Sequence, residues 1–84
     1  MLGGSALLTA RADVSRLIRT LRRRLGLTQE KMAARLGVTF PTINRWENGR
    51  ARPSPLALQK IENTLQEMGK DGADLLKRHF PEER

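Results

Sequence analysis

Apolar positions recur at helical spacing along most of this chain. Val14, Leu17, Ile18, Leu21 and Leu25 fall at i, i+3, i+4, i+7 and i+11, which predicts an amphipathic helix over residues 13–25. Asp13 supplies the favourable charge at its start, and Arg16, Arg19, Arg22, Arg23 and Arg24 fill much of the remaining surface. Gly26 closes that helix and Leu27 packs the corner. Met32, Ala33 and Leu36 share one side of a second helix, opened by the Thr28 hydroxyl and closed by Gly37. Val38 is a single apolar turn residue. A third helix is capped by Thr39, carries Ile43 and Trp46 as an i, i+3 apolar pair, and ends at Gly49. Pro41 disfavours helical backbone at Phe40, so the pattern allows a start one residue later. Ser54-Pro55 opens a fourth helix, with Leu58, Ile61, Leu65 and Met68 as its stripe and Gly69 as its end. A last short helix is expected over residues 73–80, capped by Asp71 or Asp74 and stopped by Pro81. No strand and no internal repeat is predicted.

The spacing within residues 28–49 adds a further constraint. Two helices that cross steeply after a short turn need a small side chain where their backbones approach, and Ala33 stands there. They also need a residue that tolerates the turn (Gly37), an apolar turn residue (Val38) and two apolar pegs on the second helix (Ile43, Trp46). These features are the helix-turn-helix plan, whose second helix enters the DNA major groove.

The segments LRRRLGLTQEKMAARLGVT, INRWENG and RPSPLALQKIENTL carry a resemblance. Residues 16–68 resemble the phage-repressor (Cro/repressor, XRE) type of helix-turn-helix DNA-binding domain. The resemblance covers roughly two thirds of the chain. It implies an all-α fold, a compact bundle of about five short helices. The domain reading is a flexible N-terminal arm over residues 1–12, the DNA-binding domain over 13–69, and a short C-terminal helix and tail over 70–84.

Charge agrees with that plan. Formal net charge is +7, and residues 11–52 carry eleven Lys/Arg against three Asp/Glu, while the rest has five against six. A basic segment that coincides with the motif is the footprint of a phosphate-backbone binder. The chain has no cysteine, which excludes disulfides, thiolate zinc sites and a cysteine nucleophile. Its single histidine, His79, has no metal-ligand or triad partner in the sequence, so neither an enzyme nor a metal or cofactor site is expected. No apolar run is long enough to span a membrane, and MLGGSALLTA lacks the leading positive charge of a secretory signal. A cytoplasmic, nucleoid-associated protein is the expectation.

Phosphate contacts position such a protein and base contacts specify the sequence. Base contacts are expected from the exposed side of the third helix: Phe40, Pro41, Thr42, Asn44 and Arg45. Arg45 suits bidentate bonding to guanine, and Asn44 suits adenine or a phosphate. Phe40 and Pro41 depart from the polar side chains common in the family and suit a thymine methyl instead. Gln29, at the start of the second helix, can give its amide N–H to a phosphate, as the family's matching glutamine does. Asn48, Arg50 and Arg52 resemble the family's other phosphate contacts. The resemblance also implies a structural ion pair between Glu47 and Arg22, worth about 3–5 kcal/mol to break if buried.

One recognition helix reads only a few base pairs, so a homodimer on a two-fold double-stranded DNA site is expected. Its surface would be Leu75, Leu76 and Phe80, or the loop of residues 52–55. The function read here is a transcriptional repressor or autoregulator. The rival is an antitoxin-like or adaptor module that binds a protein partner through the C-terminal helix, with DNA binding secondary.

Overall fold

A computed structural model describes residues 11–81. Five helices and no strand occur among them: α1 (Arg11–Leu25), α2 (Gln29–Leu36), α3 (Phe40–Glu47), α4 (Pro55–Glu67) and α5 (Lys70–His79). Residues 1–10, most of the predicted N-terminal arm, and the tail 82–84 lie outside the described residues. Arg11 and Ala12, assigned above to that arm, belong to α1, which starts two residues before the predicted Asp13.

α1 supplies the centre of the core. Val14, Leu17, Ile18 and Leu21 are fully buried and Leu25 packs at the edge. α2 and α3 have eight residues each, too short to persist alone, and stand because each is capped and buried on one side. Thr28 Oγ1 accepts the Lys31 N–H at 3.1 Å. Gly37 then adopts φ +71°, and the Val38 N–H returns to the Ala33 carbonyl at 2.9 Å. That left-handed turn is open to glycine at little steric cost, and it swings the chain from α2 into α3.

The start of α3 agrees with the predicted Thr39 cap, and the bounds of α5 differ from the sequence reading. α3 begins at Phe40, because Thr39 Oγ1 accepts the Thr42 N–H and Pro41 occupies a first-turn position whose N–H needs no helical partner. α5 begins at Lys70, three residues before the predicted Ala73, and ends at His79 instead of Phe80. Neither Asp71 nor Asp74 caps it. The chain reverses at Gly69 with φ +63°, no side chain bonds the helix start, and Asp74 is drawn instead to Arg24.

α4 also turns a different side inward. Ala57, Ile61, Thr64 and Leu65 are buried, while Leu58 and Met68 of the predicted stripe are partly buried at its flanks. α4 packs on both α2 and α5, so the covered arc is set by two neighbours and not by the largest aliphatics. Thr64 is tolerated inside because its hydroxyl donates to the Lys60 carbonyl at 2.9 Å.

α5 is held on the α1–α4 side. Leu75 and His79 are buried, and Leu76 and Phe80 pack partly buried against the core. Gly72 is buried where α5 meets α4: a Cβ there would sit 2.3 Å from the Leu65 carbonyl oxygen. Arg24 clasps Asp74 with two bonds of 2.7 and 2.9 Å and donates to the Asp71 carbonyl at 2.8 Å. No helix of the described residues is long and apolar enough to cross a membrane.

Candidate nucleic-acid interface

The α2–α3 crossing sets the geometry of the site. Ala33 is almost fully buried there, and α3 is seated by Ile43, Trp46 and Glu47, all buried. With 3.6 residues per turn, an inner arc fixed by those three leaves Pro41, Arg45 and Asn48 facing outward, with Phe40 in the first turn at the arc's flank. All four are exposed, and Thr42 and Asn44 lie half-buried within or beside that arc.

Beneath the outer arc runs a chain of polar side chains. Arg22 Nε and Nη2 donate to the two Glu47 carboxylate oxygens at 2.6 and 3.0 Å, a bidentate pair. Gln29 Nε2 donates to Glu47 Oε1 at 3.0 Å, and Gln29 Oε1 accepts from Asn44 Nδ2 at 3.3 Å. Asn44 Oδ1 in turn accepts from Asn48 Nδ2 at 3.0 Å. The Glu47 backbone carbonyl receives the Ser15 hydroxyl and the Arg19 guanidinium from α1. The acid on this basic protein is therefore wholly committed inside. Burial pushes the Glu47 pKa up, but the bonds from Arg22 and Gln29 and the nearby charges of Arg22 and Arg19 outweigh it and hold the group below its ordinary value. Arg22 is raised, chiefly by its bond to Glu47.

These bonds sort the predicted contact residues. Arg45 and Arg50 are exposed, and their guanidinium groups make no hydrogen bond or ion pair among the described residues. Arg52 is exposed on the same loop. Ala51 is half-buried and Pro53 buried, alternating with the exposed Arg50 and Arg52. Gln29 gives one amide proton to Glu47 and keeps a second for an outside acceptor. Asn44 makes one bond at each end of its amide and keeps one proton and one lone pair for an outside partner. Thr42 Oγ1 lies 2.9 Å from Thr39 Oγ1, within the helix cap. Phe40 and Pro41 project at the entrance of α3 with no polar side-chain atoms.

Residues 18–67 match the model of the helix-turn-helix family, which is more than half of the chain. The chain belongs to the phage-repressor type of that family. It is 49% identical over 49 residues to an uncharacterized HTH-type transcriptional regulator of Methanothermobacter thermautotrophicus, a match covering 58% of this chain and 71% of that protein. It is also 42% identical over 48 residues to uncharacterized HTH-type transcriptional regulators of Sinorhizobium medicae and Rhizobium meliloti. Those matches cover 57% of this chain but 34% of each rhizobial protein, so this family member aligns with about a third of their length. No solved structure matches the chain.

Proposed function

We propose that this helix-turn-helix protein binds double-stranded DNA sequence-specifically and acts as a transcriptional repressor or autoregulator. α3 lies in the major groove, Arg45 bonds a guanine edge, and Gln29, Asn48, Arg50 and Arg52 hold phosphates on either side. The observation that carries this reading is the two-faced setting of α3. Ile43, Trp46 and Glu47 lock its inner arc, while Arg45 stands on the outer arc with no partner among the described residues. An unpaired guanidinium fork on a rigid helix is preorganised for O6 and N7 of guanine. The names of the relatives support a role in transcription regulation. Two copies on a two-fold site, with half-sites about one turn apart, supply the specificity that one short helix lacks.

The test is selection of bound duplexes from a random pool at two salt concentrations. The expected result is a two-fold motif that is lost in Arg45→Ala. Salt-sensitive binding without an enriched motif would remove sequence-specific reading and leave a general polyanion binder.

A protein partner is the second reading. Ala73, Leu76, Phe80 and Pro81 line an open groove of about 450 Å³ between α4 and α5. Leu75 is buried and Leu76 and Phe80 are partly covered, which leaves little apolar surface for that role.

A further inference from the structure

The side chains at the entrance of α3 present little hydrogen-bonding chemistry to the outside. Phe40 and Pro41 have none, and the Thr39 and Thr42 hydroxyls spend one of their two protons on each other. Among the described residues only Phe40 and Leu56 are large hydrophobics left exposed, Phe40 at 45%. Phe40 opens α3 at the end of the helix, five residues before Arg45. One functional group in the major groove matches an apolar reader: the C5-methyl of a pyrimidine. Thymine carries it and uracil lacks it, while both present the same O4 acceptor. Cytosine lacks it, and 5-methylcytosine regains it without losing the N4 donor.

The geometry points to Phe40 as the residue that reads a pyrimidine C5-methyl, so that the chain distinguishes methylated from unmethylated pyrimidine at that step of its site. This rests on the proposal that α3 enters the major groove. The Phe40 ring covers the methyl, Pro41 beside it keeps polar groups away, and Arg45 fixes register on a guanine further along. At such a position thymine and 5-methylcytosine are both accepted, and cytosine methylation strengthens binding instead of blocking it. Burying one methyl group contributes about fourfold in affinity per half-site.

The test uses the full chain in parallel selections from two random duplex pools, one built with thymine and one with uracil. The selected duplex is then titrated with thymine or uracil, and with 5-methylcytosine or cytosine, at each pyrimidine in turn. The expected result is one pyrimidine per half-site at which loss of the methyl weakens binding about fourfold. Phe40→Ala abolishes that difference while Phe40→Leu, which keeps an apolar cover, retains it. Circular dichroism of both variants checks that the helices are intact. Equal affinity for methylated and unmethylated pyrimidines at every position overturns the inference, as does a methyl preference that survives Phe40→Ala. An identical motif of equal affinity from both pools overturns the methyl reading alone, whereas no motif from either pool overturns major-groove reading itself.

Discussion

Replacing Arg22 with methionine keeps most of the side-chain volume and removes the guanidinium, leaving the Glu47 carboxylate inside the fold. Glu47 is 3% exposed and loses two charge-assisted bonds, of 2.6 and 3.0 Å, and the Leu27 carbonyl loses a third partner at 3.2 Å. Truncating one member of a buried pair costs about 3–5 kcal/mol. The Gln29 bond survives and the Arg22 position is open to some solvent, its side chain being 19% exposed, so the expected loss is about 3 kcal/mol, at the lower end. That lowers Tm by roughly 12–24 °C in a chain of this size. Thermal and urea unfolding followed by circular dichroism read it directly. Two further results separate an uncompensated charge from lost packing. Arg22→Met combined with Glu47→Leu regains most of the stability, because the orphaned carboxylate is gone. In the wild type the Glu47 pKa is depressed, so its contribution is present above 4.5 and is lost as pH falls below that value. In Arg22→Met the buried carboxyl is raised and acid relieves it. The gap between the two proteins therefore narrows on acidification. A loss under about 1 kcal/mol, or a gap unchanged between about pH 7 and about pH 4, would refute the reasoning.

Gly72→Ala drives a Cβ against the Leu65 backbone and destabilises the α4–α5 contact by about 1–3 kcal/mol, read as a lower urea midpoint with faster amide exchange in α5. His79 titrates low because it is buried, with Arg78 on α5 and Arg16 on α1 adding to the shift and Asp13 on α1 opposing it. The unfolded chain then takes the proton first, so stability is full above 6.5 and falls as pH drops below it; His79→Phe flattens the urea midpoint against pH in that window. Arg50→Ala reduces the slope of log K against log salt by about 0.9 and leaves the selected motif unchanged, as measured by titration at several salt concentrations.

The helices were legible wherever a cap, an apolar stripe and a closing glycine agree. Thr28, Met32–Leu36 and Gly37 define α2 by local chemistry alone, and Ile43 with Trp46 fixes which side of α3 faces in. α5 was misplaced because Gly69 starts it through backbone conformation, with no side-chain cap for a sequence to display. Gly72 sits in the first turn of α5 because the α4 backbone lies against it, a tertiary demand with no local mark. The α4 stripe was misjudged for a related reason: periodicity weighs Leu58 and Met68 by size, while packing buries Ala57 and Thr64. At the site, Arg22 and Glu47 lie 25 residues apart, and only the family resemblance linked them. The Gln29–Asn44–Asn48 relay depends on the angle between α2 and α3, which no spacing along one chain specifies.

The claim that the outer face of α3 reads the major groove through Arg45 is tested most directly by guanine-N7 methylation interference on the selected duplex. The account predicts one guanine per half-site whose N7 methylation blocks binding of the wild-type protein. Methylation of that guanine has no further effect on the residual binding of Arg45→Ala. Interference confined to adenine N3 in the minor groove, or a guanine signal undiminished in Arg45→Ala, would contradict it.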